Sequence, residues 1–474
     1  MFRIPVNGKI PLLIVCAALA GCGGRGLAIG GGGTPSGTAP VVLTMTDTPP
    51  TNVTILSAQV TLTGATLSPG NISVFSGSKT VELTRLQTDV AYLGTTLVPP
   101  GSYTGIMLTF SNPKLTIEND MGSTVAGTCV SRAICAIQPV ATNLSTTITL
   151  SPALIATAPN AAGLLVDVNL NNLISASLGA DFSGVTVSQF IPASSSAPPV
   201  GAEDVVGSVA LTDPVNSKFS LQNSAGTVSL VVDTSTTFLN FPTGTCATFS
   251  IACVQANEIL SVDISSRADG TAVARNVVFE DPDSSDTEVE GVITGTGPLT
   301  LNMITLAETT GIPSLPIGSL TTVTFTGLTK SDVDVTHVDS TQIDTSAFPF
   351  NINVPADLIV GQQVQVRRNP ASSGTTIVAD RVRLRSSRLT GTYQSGPVTL
   401  LTLGGLPSLF IVHGMEMIQV QTSTGPVSAI CTGNGISIGA SCGSLVVNHR
   451  ESVRGPLFAN SGNPTLVATK VLQR

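Results

Sequence analysis

The 474-residue sequence has no tryptophan, three tyrosines, three histidines and a charged fraction of only 11%. Each shortage excludes something. The lack of Trp and the scarcity of Tyr weaken the case for the aromatic platforms on which sugars and bases stack. A formal net charge of −8 opposes nonspecific nucleic-acid binding, which needs a positive face, so no nucleic-acid partner is expected. His337, His413 and His449 are far apart and form no metal-ligand pair. No Gly-x-Ser-x-Gly elbow, phosphate loop or zinc-protease motif is present. With so few general bases, the expectation is a protein that is not an enzyme and carries no cofactor; the alternative is an enzyme whose active site is assembled from dispersed residues. Beyond residue 22, no apolar run reaches the roughly 20 residues a membrane-crossing helix needs.

What the chain does have is 42% hydrophobic residues, 46 Gly and 30 Pro, with Val, Thr and Ser abundant. That mixture predicts strands joined by turns, an all-β protein. Residues 41–193 carry period-2 alternation, as where Val60 and Leu62 alternate with Thr61 and Thr63. Similar runs occur at 81–83, 106–110, 115–117, 146–150 and 164–170, while 171–178 allows a short helix at most. About seven short strands in this span predict an antiparallel β-sandwich. After a Ser/Ala/Pro linker the chain repeats itself: Val206-Gly207-Ser208-Val209, Glu290-Gly291-Val292-Ile293 and Leu389-Thr390-Gly391-Thr392 open three units. Strands near 270–277, 374–382 and 464–471 close them, and 232–238 of the first unit matches 338–343 of the second. Residues 204–281, 288–387 and 388–474, the last divergent, are predicted to be three small OB-like β-barrels.

Ahead of residue 22, Arg3 and Lys9 precede an apolar stretch from Ile10 to Leu19, then Leu19-Ala20-Gly21-Cys22. A charged start, a short apolar middle and small residues at a cut predict a secretory signal over residues 1–21. The final four residues resemble the lipobox of bacterial lipoproteins. That resemblance implies cleavage before Cys22, a diacylglyceryl group on its thiol and an acylated amine, and two or three chains make a stable anchor. Gly23, where inner-membrane lipoproteins often carry Asp, implies onward transport to the outer membrane, facing the periplasm or the surface. Residues 22–40, mostly Gly, read as a flexible tether. Cys16 leaves with the signal and Cys22 carries lipid, so six of the eight cysteines remain for pairing. Their spacing favours local disulfides Cys129–Cys135, Cys246–Cys253 and Cys431–Cys442 in an oxidising compartment; zinc is the rival reading, and the pairs lack its usual spacing and His partners.

Residues 43–49 (Leu-Thr-Met-Thr-Asp-Thr-Pro), 98–106 (Val-Pro-Pro-Gly-Ser-Tyr-Thr-Gly-Ile) and 165–170 (Leu-Val-Asp-Val-Asn-Leu) resemble bacterial domain of unknown function 4382, with Thr48 where that family usually has Ala. The three repeats, together with residues 358–366, resemble domain of unknown function 5666. Both resemblances imply β folds and no established activity. Tyr103, in the first family's Pro-Gly-x-Tyr turn, is expected to pack across that turn.

Two charge clusters stand out. Glu280, Asp281, Asp283, Asp286, Glu288 and Glu290 read as a solvated linker between the first two barrels; Asp281, Asp283 and Asp286 are the candidates if calcium binds, which wants six to eight oxygens. Arg381, Arg383 and Arg385 alternate with Val382 and Leu384 and so share one strand face, with Arg388, Arg367 and Arg368 nearby. That row is either a charged edge, a docking face for an anionic polymer or lipid headgroups, or the partner of the acidic run. The functional expectation is a membrane-anchored, exported lipoprotein serving as a non-catalytic binding or structural module, with an envelope protein or polysaccharide as partner.

Overall fold

Alternation of Val, Leu and Ile with Thr and Ser puts one side of each strand in a core and the other toward solvent or a neighbouring unit. The computed structural model describes residues 37–48, 54–174, 178–192, 202–223, 226–242, 250–282, 287–308, 315–335, 343–369, 372, 376–397, 399–422, 428–431 and 445–473, and they are nearly all β.

The N-terminal unit is a sandwich. One sheet has the order Thr186–Phe190, Ala162–Asp167, Ala39–Thr46, Ala91–Val98. The other carries Ile72–Glu82, Thr54–Ser68 and Gly101–Glu118, with Ile134–Ile137 and Ser145–Ala156 both paired to the last of these. Leu43, Met45, Val60, Leu62, Leu108, Leu164 and Val166 fill the space between the sheets, and Phe110 stacks on Phe182 with centroids 4.7 Å apart. Two expectations need correction. Ala39–Thr46 runs parallel to Ala162–Asp167, Val41 opposite Ala162, so the sandwich is not wholly antiparallel; most of the unit intervenes between these strands, and no tight turn dictates their direction. The runs at 106–110 and 115–117 are one strand, Gly101–Glu118, with Asn112 in a left-handed conformation (φ 49°) before Pro113.

The first repeat has strands Ala202–Asp213, Lys218–Asn223, Gly226–Val231, Ile259–Ser266 and Ala272–Asp281. They pair in the order third, second, first, fourth, fifth, and the third closes onto the fifth in parallel at Val231 and Val273. This is the strand order of the five-stranded OB-type Greek-key barrel. A short extra strand, Thr237–Leu239, lies parallel to the fifth. The second repeat reproduces every pairing with Thr287–Gly297, Thr300–Glu308, Leu320–Thr324, Gln363–Arg368 and the first part of Thr376–Ser395. The third does so with the second part of that strand, then Leu400–Gly404, Ile418–Gln421, Arg450–Phe458 and the pieces Thr465–Val467 and Lys470–Gln473.

The divergent third repeat keeps the same backbone signature as the others. Val209, Ile293 and Tyr393 each donate a backbone N–H to Glu258, Gln362 and His449, at 2.9 Å in every case. Each in turn accepts from the preceding residue, Asn257, Gly361 or Asn448, whose φ values are 72°, 89° and 69°. Two residues before each of these first-strand positions stands the opening glycine of the unit. A Cβ on Gly207, Gly291 or Gly391 would lie 2.6, 2.4 or 2.9 Å from a carbonyl oxygen of the adjacent strand, so only glycine allows the close approach.

Thr376–Ser395 is 20 residues long; it ends the second barrel and begins the third, and the expected boundary at 387/388 falls inside it. The match of 232–238 to 338–343 is also corrected. The counterpart of Thr237–Leu239 is Lys330–Val333, which lies parallel to the same fifth strand. In both units a threonine just ahead of or at that element, Thr236 or Thr329, donates to the carbonyl of Ala274 or Ala379, at 2.7 and 2.8 Å. Residues 338–342 lie outside the described residues.

Candidate functional site

The arginine row is not an open cationic face. Arg381 meets Glu288 at 2.6 Å, and Arg385 meets Glu280 at 2.8 Å and Asp334 at 2.9 Å. Arg383 pairs with Glu280 and, at 2.9 Å, with Asp332, while Arg367 bridges Asp281 at 3.4 Å and Asp380 at 2.8 Å. Glu280, Glu288 and Arg385 side chains are 0%, 1% and 2% exposed. Glu280, Asp281, Glu288 and Glu290 of the acidic run are therefore buried rather than solvated, and the positive charge an anionic polymer would need already faces carboxylates. Burial lowers the affinity of Arg383 for its proton, and Glu280 and Asp332 more than offset that. Burial also raises the Glu288 carboxyl to about 7, opposed by Arg381 and reinforced by Glu280 and Asp281.

Of the calcium candidates, Asp281 is paired with Arg367; Asp283 and Asp286 lie outside the described residues. Among those residues no group of three or more His, Cys, Asp or Glu is placed to hold a metal ion. Cys129 and Cys135 are joined as a disulfide, and Cys253 is disulfide-bonded. Cys22, Cys246 and Cys442 lie outside the described residues, as does the side chain of Cys431. Tyr103 is buried and donates to the Pro99 carbonyl at 2.7 Å, across its turn. His413 Nδ1 lies 2.8 Å from the Leu409 carbonyl, His449 is exposed, and His337 is outside the described residues. Among the described residues no helix is long and apolar enough to cross a membrane.

Sequence reasoning missed the cleft where the sandwich meets the second and third barrels, a cavity of about 290 Å³. The sandwich supplies Thr54–Leu56 from one strand and Arg85 and Gln87 from the one-turn helix Leu83–Gln87. The second barrel supplies Val292, Leu306, Gly361 and Gln363; the third supplies Arg388–Thr390, Gly405–Ile411 and Arg450. Its apolar wall is built around Phe410, whose ring lies so close to Gly361 that a Cβ there would be 2.2 Å from it. Gly361 thus serves both the barrel turn and the cleft.

Ion pairs hold the three walls together. Arg85 reaches Glu290 at 3.2 Å, and Gln363 donates to the same carboxylate. Arg388 binds Asp89 at 2.6 Å and Gln363 at 3.1 Å. Asp89 also faces Arg454 at 3.8 Å and Lys470 at 3.7 Å. Burial pushes its carboxyl upward, but those three cations hold it far below the usual range. At the opposite end Ser408 N–H donates to Thr54 Oγ1 at 2.9 Å, and Thr54 donates to Asp120 at 3.5 Å. The only sequence signals here are the short apolar run Leu409-Phe410-Ile411 after Gly404-Gly405 and the glycine at 361.

No protein-family model matches the chain, and no curated protein does. Among solved structures, drosophila Unr CSD456 aligns over 57% of this chain and 96% of its own, at 10% identity and a TM-score of 0.13, too low a likeness to carry an argument.

Proposed function

We propose that the protein is an exported lipoprotein, tethered through Cys22 to the outer membrane, which acts as a non-catalytic binding module and seats a small molecule in the three-walled cleft. The observation that carries the binding half is the cleft itself: lined by hydrocarbon and polar groups, walled by the sandwich and by two barrels that share a strand, and braced by buried ion pairs. Ligand sites favour such junctions and combine an apolar lining with a few placed polar groups. The lipid anchor rests on Leu19-Ala20-Gly21-Cys22, and the kinship to domains of unknown function 4382 and 5666 on the motifs quoted above. The barrel loops facing away from the cleft are the surface offered to an envelope protein or polysaccharide.

Two readouts test this. Cells fed an alkyne-tagged fatty acid should label the chain, and Cys22→Ser should abolish the label; a labelled C22S chain overturns the anchor. Native mass spectrometry of the chain extracted from membranes should show a small molecule that is lost on denaturation. A chain that carries none, and takes up none from a membrane extract, overturns the binding role.

A further inference from the structure

The polar side chains of the cleft are matched from within the protein. Arg85 lies against Glu290 at 3.2 Å, and Gln363 donates to the same carboxylate. Arg388 lies against Asp89 at 2.6 Å and donates to Gln363 at 3.1 Å, and Arg450 is engaged within the protein as well. The hydroxyls follow the same pattern. Thr84 donates to the buried Glu82 at 2.8 Å. Thr390 donates to Gln87 at 3.1 Å, and its hydroxyl meets that of Ser452 at 2.7 Å. Thr54 accepts from the Ser408 N–H at 2.9 Å and donates to Asp120 at 3.5 Å. Ser408 turns its own hydroxyl to the buried Glu118 at 3.4 Å. Asp120 stands at the exposed rim, where water solvates it.

What the wall leaves unmatched is hydrocarbon. Leu56, Leu306, Leu406, Leu409 and Phe410 are buried in it, and Ile411 stands half-exposed beside them. A charged ligand would leave water for a wall whose buried charges already face counter-charges, and an ion buried without a partner is costly. An apolar body loses no hydrogen bonds on entering and gains by leaving water. Resting on the binding role proposed above, we infer that the cleft takes an uncharged, apolar small molecule, held by its hydrocarbon against Leu406, Phe410 and Ile411 and not by a charged head. A sugar, which must replace many bonds to water, meets side chains already bonded to one another. An anion and an amine alike find no counter-ion in the buried wall.

The test is calorimetric titration of the full chain, stripped of bound molecules, with octanol, octanoate and octylammonium, which share one hydrocarbon body. Octanol should bind with one-site stoichiometry and about tenfold or more tightly than either ion. Ile411→Trp, which fills the half-exposed rim without altering a charge, should abolish octanol binding, and Ile411→Ala, which leaves the rim open, should retain it; circular dichroism checks that both variants fold. If octanoate or octylammonium binds as well as octanol, the inference of an uncharged ligand falls and a binding cleft remains. If none of the three binds, or Ile411→Trp changes nothing, both this inference and the placing of the ligand in the cleft fall.

Discussion

The two joints between successive barrels are built in opposite ways. Where the first barrel meets the second, the contacts are charges: Glu280 and Asp281 of the first against Arg367, Arg383 and Arg385 of the second, with Glu288 of the second, paired to Arg381 of its own barrel, feeling the charges of Glu280 and Asp281. Where the second meets the third, one strand, Thr376–Ser395, belongs to both, and the hydrocarbon is shared. Phe458 and Val467 of the third barrel are buried in the core of the second, while Ile304, Leu306 and Val360 of the second are buried in the core of the third. Shared hydrocarbon is nondirectional and strengthens with area. Buried ion pairs cost much of their attraction in desolvation, and they fix geometry more than they add stability. The second and third barrels are thus one cooperative body, to which the first is keyed by charge.

The sharpest way to break this contrast is at Phe458, fully buried and stacked on Phe348 at 5.2 Å between centroids. Phe458→Ala should cost about 3–5 kcal/mol and loosen the second and third barrels together. Urea denaturation followed by hydrogen exchange should show protection falling in peptides of both; loss confined to residues 450–473 would show two separate cores. Glu280→Gln comes next. It leaves two arginines, one of them nearly inaccessible, without the carboxylate they share, at a cost of about 3 kcal/mol. Exchange should quicken in 272–282 and 376–388 and stay unchanged around the Phe458 core. An effect spreading equally into the third barrel would mean the ionic joint is no less cooperative than the apolar one.

The apolar half of this architecture was legible in the sequence and the ionic half only partly. Val60 and Leu62 alternate with Thr because one face is buried, and Gly207, Gly291 and Gly391 mark the same close approach in three barrels. The shared strand was hidden because Ser386 and Ser387 look like a polar break. Both are buried, and Ser387 Oγ accepts from the Gln363 N–H at 2.9 Å and donates to the Gly361 carbonyl at 3.1 Å. The arginine row was visible, but its partners Asp332 and Asp334 lie in and just after Lys330–Val333, whereas the sequence match to 232–238 pointed to 338–343. The cleft was invisible because its walls are some 350 residues apart in the chain, as Thr54 and Ser408 are, 2.8 Å apart in space. Spacing along a sequence reports local periodicity, not which outer faces meet when units pack.

The smallest effect separates the joints by pH. Glu288 has its carboxyl raised by burial from an ordinary 4.5 to about 7, so the folded chain binds more protons than the unfolded chain between those values. Stability at the ionic joint therefore rises as pH falls from about 7.5 to about 5.5, by roughly 2 kcal/mol at 1.36 kcal/mol per unit. Asp89, bracing the sandwich against the third barrel, has the opposite sign: its lowered carboxyl contributes stability above about 3.8 that is lost only as pH falls further. Lys79, lowered by burial from 10.5 to about 8, contributes a rise in stability with pH that is confined to the range above about 8. Burial raises the carboxyls of Glu82, Glu118 and Glu258 as well, so Glu288 is read from the difference between two chains. Between about pH 5.5 and 7.5 the urea midpoint of the full chain should fall more steeply with rising pH than that of Glu288→Gln. Equal slopes would place the titrating group elsewhere and remove pH as a handle that distinguishes the ionic joint from the apolar one.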